Sequence, residues 1–423
     1  VNIVSLFNGH SGGNISFDEA GIKYEGYYSS EVDKHALKME KYLYPDNIQM
    51  GDVRNIYYKD GYLTTDNGVF YVGSVGALIG GSPCQSFSFA GKRNGMTTIE
   101  NILVTTLDQY LILKDENFQF EGYSYLFWEY MRILKEIRVD NPDVFFMLEN
   151  VKMEKNWNIV INDATGIEPV LINSNLVSAQ NRKRLYWTNI PGSELTLFGN
   201  CISQPKDLKP KIKDILEDIV DEKYYLSDEM VKGFIEKSPH LGYINQDTQA
   251  SKVISETEQA QTLCAGTHGY ANGYVKISTC AVRGRNPDNP KSRESGLETE
   301  QMLEISKTPT LSNCLTTVSK DSMILLSEEM GANNINKTSK TLRVGGKSSY
   351  NKKHSYDLIL DPIEYRIRRY TPRECGRLQT IPEHIIDKML KAGVSETQLY
   401  KQFGNGWNIK VIVHILQGLK ENQ

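Results

Sequence analysis

The amino-acid sequence predicts an α/β protein: a doubly wound, mostly parallel sheet followed by a second, smaller, largely β domain. Three observations carry that expectation. Over residues 1–190 short apolar runs alternate with helical patterns, the strand, helix, strand order that builds a parallel sheet covered on both faces. From about residue 191 the chain changes to Thr, Ser, Asn and Gly clusters between short β-like runs. The 423 residues also exceed one ordinary domain, and at roughly 150 residues per domain they imply two or three.

The expected strands are the apolar runs Asn2–Leu6, Tyr24–Ser30, Val75–Ile79, Val144–Leu148 and Arg184–Thr188. Ile15–Ala20 reads as the start of a crossover helix. Tyr125–Ile137 carries apolar residues at 126, 127, 130, 133, 134 and 137, the spacing of one helix face. Near the end, Thr397–Phe403 and Ile409–Leu419 are amphipathic, parted by the Gly404-Asn405-Gly406 break. The expected domains are 1–190, 191–385, and a helical segment 386–423 that returns to the first. Within the β region Gln261–Leu263, Cys314–Val318 and Thr341–Gly346 each read as a strand leading into a loop, and their unequal spacing argues against a solenoid.

Composition narrows the class. With 39% hydrophobic and 24% charged residues, neither a disordered nor a low-complexity chain fits. Lys and Arg number 48 against 52 Asp and Glu, a net charge of −4, so a nucleic-acid partner has to be met by a local patch. Residues 343–373 offer one, with Arg343, Lys347, Lys352, Lys353, Arg366, Arg368, Arg369 and Arg373 against Asp357, Asp361 and Glu364. A solvated charged face is the plainer reading of that stretch. The cysteines at 84, 201, 264, 280, 314 and 375 form no Cys-x-x-Cys and have no His at zinc spacing, so no disulfide framework or metal site is expected. Val1–Phe7 shows no basic and apolar leader, and no apolar run nears the roughly 18 residues of a membrane span. A cytoplasmic protein with no membrane partner is the expectation.

Two loops at strand ends carry chemistry. The first strand runs into Phe7-Asn8-Gly9-His10-Ser11-Gly12-Gly13, where glycines let backbone approach a bound cofactor. Glu31, at the distance of a ribose-holding acid, and Asp52, at the next strand end, complete such a pocket. Ser11 stands where a dinucleotide fingerprint has its second glycine, so a tight turn serving packing alone is equally compatible. The second loop, Gly80-Gly81-Ser82-Pro83-Cys84-Gln85, places a cysteine at the carboxyl end of a strand, where open α/β sheets bind ligands. Alone it reads as a buried structural thiol. Glu149 in Leu148-Glu149-Asn150-Val151 and the arginines of Gln180-Asn181-Arg182-Lys183-Arg184 bring a carboxyl and guanidiniums to the same sheet edge.

In order and spacing, these motifs resemble the cytosine-5 DNA methyltransferases of bacterial or phage type, over nearly the whole chain. Arg369–Gln379 looks like the family's late structural motif and Gln402–Trp407 its terminal cofactor motif, while 191–365 takes the place of the variable target-recognition region. Gly404-Asn405-Gly406-Trp407 departs from the common bacterial Gly-Asn-Ser-Val and resembles the animal de novo methyltransferases. An apparent insertion near Glu100–Glu121 is a second departure, without an assigned role.

The resemblance implies an S-adenosylmethionine-dependent enzyme. Its Cys84 thiolate would add to carbon 6 of a flipped cytosine, with Glu149 protonating or hydrogen-bonding ring nitrogen 3, Arg182 at the exocyclic oxygen and Arg184 as a second positioning cation. The implied cofactor residues are Phe7, Asn8, Gly9, Ser11, Gly12, Glu31, Val32, Asp52, Val53, Pro83, Asn405, Gly406 and Trp407. Duplex DNA is the implied partner, met by a monomer, with a cognate restriction endonuclease where the gene belongs to a restriction system. A tRNA cytosine-5 methyltransferase, which shares these motifs, and a non-catalytic nucleic-acid-binding protein on the same fold are the competing readings. Cys375, in a helix-like Pro-Arg-Glu-Cys-Gly-Arg-Leu segment, reads as structural.

Overall fold

The computed structural model describes residues 1–83, 96–192, 194–196, 199–210, 214–224, 240–243, 252–254, 278–285, 300–305, 323–327 and 365–420. The chain divides into two compact units. One comprises Val1–Ser178, Arg182–Lys209 and Gln379–Gln423, the other Ala179–Asn181 and Pro210–Leu378.

The first unit is built on a seven-stranded sheet in the order β3-β2-β1-β7-β8-β10-β9. Its strands are β1 Asn2–Leu6, β2 Gly26–Ser30, β3 Ile48–Gln49, β7 Val75–Gly81, β8 Phe145–Val151, β9 Val170–Asn173 and β10 Lys183–Thr188. β3, β2, β1, β7 and β8 run parallel, and β10 lies antiparallel to both its neighbours. Side chains alternate between two cores. Val4, Leu6, Leu78, Phe146, Leu148, Leu185 and Trp187 face one, with Phe127, Ile133 and Leu134 of α4 (Leu126–Asp140). Ile3, Ala77, Ile79, Met147 and Tyr186 face the other, with Phe17 of α1 (Gly12–Ala20) and Ile412, Ile415 and Leu416 of α9 (Ile409–Lys420). Both faces are covered, as a parallel sheet requires.

Chain order explains where ligands can enter. β1, α1, β2, α2 (Lys34–Leu43) and β3 wind to one side, then the chain returns so that β7 lies on the other side of β1. The winding reverses between β1 and β7, which opens a crevice at their carboxyl ends. The return passes through a three-stranded meander, β4 Tyr57–Lys59, β5 Tyr62–Thr65 and β6 Gly68–Tyr71.

Several boundaries differ from expectation. β2 begins at Gly26 rather than Tyr24, and β8 runs past the expected end at Leu148 to Val151, taking in the Glu-Asn-Val motif that ends it. α1 starts at Gly12, because Ser11 just before it is already left-handed at φ 67° and the chain coils from there. α3 (Leu107–Asp115), α5 (Lys155–Thr165) and the meander were not anticipated. The terminal region holds α7 Glu383–Lys391, α8 Glu396–Asn405 and α9, with the break at Gly406.

Two short antiparallel pairs follow in the chain, β11 (Glu194–Thr196) with β12 (Gly199–Cys201) in the first unit and β13 (His240–Tyr243) with β14 (Lys252–Ile254) in the second. The described residues of the second unit also include an antiparallel four-stranded sheet, in the order β16 (Glu300–Ile305), β15 (Ser278–Arg285), β17 (Met323–Ser327), β18 (Tyr365–Arg369). β18 leads into α6, Pro372–Leu378, whose buried Glu374 accepts the N–H groups of Thr371 and Glu217, each at 2.9 Å. Cys375 is buried beside it, and burial, then the Glu374 charge, push its thiol well up, as befits a structural residue. The fragments at 261–263, 314–318 and 341–346, and Lys352 and Lys353, lie outside the described residues.

Candidate active site

The loop after β1 is held in an unusual backbone shape. Phe7, Gly9 and Ser11 all have positive φ, at 59°, 56° and 67°. For Phe7 and Ser11 this costs on the order of 1 kcal/mol each, and such strain persists where surrounding contacts enforce it. Those contacts are present. The Asn8 N–H donates to Ser30 O at 3.0 Å, Asn8 Oδ1 accepts from Ser5 Oγ at 2.9 Å, and the Gly9 N–H donates to Glu31 Oε2 at 2.8 Å. Gly12 opens α1 beside Trp407.

Glu31 is fixed by its own turn as well, its Oε1 accepting the N–H groups of Val32 and Asp33 at 2.8 Å each. A carboxylate offers about four acceptor sites. Three donors leave Oε2 with capacity for one more. Val32 itself is exposed. Asp52 caps the turn before Val53: it accepts the Arg54 N–H at 2.9 Å and pairs with the Arg54 guanidinium at 2.5 Å. Partial burial pulls its pKa up, yet the bonds to Arg54 prevail and hold the carboxyl below its ordinary value. Glu31, Val32, Gly51 and Asp52 line one cleft of about 640 Å³. Another, of about 420 Å³, opens at the amino ends of the strands around Val1, Gly76 and Phe145, away from every expected site residue.

At the carboxyl end of β7, Gly81 pairs in register with Glu149 of β8. A side chain at Gly81 would start 2.9 Å from Glu149 Oε2 and 3.0 Å from Trp407 Nε1, so the strand end, the carboxyl and the indole converge. Glu149 is buried and its other oxygen, Oε1, takes Arg184 Nε at 2.9 Å. The pair is possible because Glu149 sits opposite Tyr186, which puts Arg184 two residues along on the same face of β10. Burial, then the Glu149 charge, raise the pKa of Tyr186 and keep its hydroxyl protonated. The described chain stops at Ser82 and Pro83; Cys84 lies outside it. Ser82 is tied down by Asn150, whose Nδ2 donates to its Oγ at 3.0 Å and its carbonyl at 3.3 Å.

Arg182 does something different from Arg184. It is buried, and its guanidinium donates to Gly404 O at 3.1 Å and Gly406 O at 2.8 Å, fixing the turn that presents exposed Asn405 and half-buried Trp407. His10 packs against the same turn. A Cβ on residue 406 would lie 1.8 Å from His10 Cε1, so the imidazole occupies the volume that the serine of the common bacterial motif would need. Burial first, then the nearby Arg182 charge, drive the His10 pKa down to about 4, leaving it neutral. The expected residues of the first unit thus gather at one sheet edge. Motif reasoning missed Asn150, whose only sequence signal is an amide inside an apolar strand, and Arg54, whose signal is its place two residues after Asp52.

Comparison with known proteins identifies the family. Residues 1–421 match the C-5 cytosine-specific DNA methylase family. The orphan methyltransferase M.SPRI of Bacillus phage SPR is 26% identical over 470 residues, covering 99% of this chain and 97% of that protein. The type II methyltransferase M.BanI of Aneurinibacillus aneurinilyticus is 25% identical over 492 residues, covering 100% of this chain and 96% of that one. A mutant DNMT2 of Spodoptera frugiperda shares the fold, with a TM-score of 0.53 at 16% identity over 99% of both chains. With residues 1–421 of its 423 matched, the chain belongs to the C-5 cytosine-specific DNA methylase family.

Proposed function

We propose that the chain moves a methyl group from S-adenosylmethionine to carbon 5 of a cytosine flipped out of duplex DNA, through a covalent adduct on Cys84. One observation carries this reading. The strand that ends three residues before Cys84 is in register with Glu149, whose Oε1 is held by Arg184 and whose Oε2 turns toward that strand end.

The residue types suit the chemistry. Carbon 5 of cytosine is a poor nucleophile. Adding the Cys84 thiolate to carbon 6 breaks the 5,6 double bond, sends charge to nitrogen 3 and the exocyclic oxygen, and leaves carbon 5 able to attack. Glu149 hydrogen-bonds nitrogen 3 as charge develops there, with Arg184 beside it. Arg182 acts through the 404–406 turn it holds. Loss of the carbon 5 proton and expulsion of Cys84 restore the ring. Extruding the base costs roughly a few kcal/mol, which contacts to the flanking DNA must offset.

Bound S-adenosylmethionine supplies an electrophilic methyl on sulfur. The residues present fit it: Glu31 retains an acceptor for the ribose, Asp52 and Val53 border the adenine end, and Phe7, Asn8, Gly9, Ser11 and Gly12 offer backbone to the amino-acid end. Val32, Pro83, Asn405, Gly406 and Trp407 complete the enclosure. Target reading is assigned to the polar β-rich region over 191–385, with 386–423 serving the catalytic domain.

Transfer of radiolabelled methyl tests the reading. Label should pass from S-adenosylmethionine to duplex DNA and be recovered as 5-methylcytosine. Label in tRNA, or in neither nucleic acid, contradicts it.

A further inference from the structure

The stretch that carries Asp52 and Val53 is gripped from outside by one cluster of buried charge. Its hub is Glu129 of α4, whose side chain is fully buried. Glu129 Oε1 accepts from Lys114 Nζ at 2.6 Å and from the Tyr110 hydroxyl, and Oε2 accepts from Arg132 Nε at 2.7 Å. Both cations also donate to backbone. Arg132 Nη2 donates to Ile56 O at 2.7 Å and Val53 O at 3.4 Å, and Lys114 Nζ donates to Arg54 O at 3.3 Å. Glu136, paired with Arg132 at 2.7 Å, accepts the Tyr58 N–H at 2.8 Å. Three carbonyls and one amide of residues 53–58 are therefore set by side chains from elsewhere.

Tyr110 and Lys114 belong to α3, inside the segment whose role the sequence left open. That segment is itself well tied: the Ile99 N–H donates to Gln119 O at 2.9 Å, the Glu121 N–H to Thr97 O at 2.8 Å, and Phe120 stacks on Tyr125 with centroids 4.6 Å apart. A brace needs such rigidity. Lys114 alone reaches both the hub and the turn from this segment, its head held by a short ion pair to Glu129 and a longer contact to Arg54 O.

We infer that the 96–121 segment is a positioning element for the adenine end of the cofactor, with Lys114, anchored on Glu129, as its acting residue. Lys114 and Arg132 hold the carbonyls of Val53, Arg54 and Ile56, and so fix where Asp52 presents its carboxyl and Val53 its side chain. The inference rests on the reading that Asp52 and Val53 meet the cofactor.

The test is calorimetric binding of S-adenosylmethionine to the DNA-free protein, with Asp52→Ala as reference. Lys114→Met should weaken binding about tenfold and raise the cofactor KM alike, while kcat at saturating cofactor stays within about twofold. Lys114→Arg should recover most of the affinity, since a guanidinium can bridge Glu129 and Arg54 O. Tyr110→Phe, which keeps the packing and removes one donor from Glu129, should show a smaller loss in the same direction. If Asp52→Ala binds as wild type, the reading of the turn fails and takes the inference with it. If Asp52→Ala weakens binding while Lys114→Met and Tyr110→Phe change only the melting temperature, the inference alone is overturned.

Discussion

Arg184 holds Glu149 through a 2.9 Å contact between Nε and Oε1, with the two side chains only 14% and 10% exposed. At that burial the pair is not a surface ion pair of negligible worth, and removing one partner strands a charge in low dielectric. Arg182, two residues earlier, has its guanidinium on backbone carbonyls instead. Arg184→Met should therefore lower kcat by about a hundredfold or more, the usual scale for losing one donor from a charge-stabilising site. Arg182→Met should mainly lower the melting temperature and cofactor affinity. Steady-state kinetics beside thermal unfolding separates the two; identical kinetic and thermal profiles would contradict the distinction.

The contact between His10 and Gly406 is steric rather than conformational, because Gly406 sits at φ −71° and ψ 168°, which any residue adopts. Gly406→Ser should cost about 1–3 kcal/mol of stability in the presence of His10. Shrinking the neighbour with His10→Ala should restore room, so a double-mutant cycle should show a favourable coupling of about 1–2 kcal/mol. Additive losses in urea denaturation would mean the two positions do not exclude one another.

His10 also predicts an acid dependence of stability. Its folded pKa of about 4 lies below its unfolded value of 6.5, so the unfolded chain takes up a proton first as the pH falls. The contribution is intact above about pH 6.5 and is lost as the pH drops toward 4, amounting to about 3 kcal/mol across the window. Below that both states are protonated and the slope ends. His10→Asn should flatten this part of the stability curve relative to wild type, as read from urea midpoints between pH 7.5 and 4. Parallel curves would show that His10 titrates normally.

The parts of the fold legible in sequence are those with a local signature. Glycine and proline at the ends of β1 and β7 marked the crevice, and one-sided apolar spacing marked α4. What stayed hidden depends on partners far along the chain. Glu129 and Arg132 sit buried on α4, at positions that periodicity assigns to water, because Lys114, Glu136 and the carbonyls of residues 53–56 satisfy them. α2 escaped notice because only Ala36, Met39 and Glu40 of it are buried, although Asp33 caps it by accepting the N–H groups of His35 and Ala36. The reason for glycine at 406 lies in His10, nearly 400 positions earlier, and no window of residues contains both.

Specificity should be separable from catalysis. Lys352 and Lys353, in the basic stretch, are expected to contact phosphates, so changing both to Ala should weaken binding to every duplex similarly and flatten its salt dependence. Changes near Thr267 or Thr317 should instead alter which sites are methylated. Methylome sequencing beside salt titrations reads both. A new target sequence from the lysine variant, with only slower methylation from the loop variants, would reverse this division.

Trapping the covalent adduct tests the central claim most directly. Duplex DNA carrying 5-fluorocytosine at the target, incubated with protein and S-adenosylmethionine, should give a stable protein–DNA species, because fluorine at carbon 5 blocks the final elimination. Peptide mapping should place the link on Cys84, and Cys84→Ser should abolish it. An adduct that survives Cys84→Ser, or one that maps to Cys375, would contradict the account.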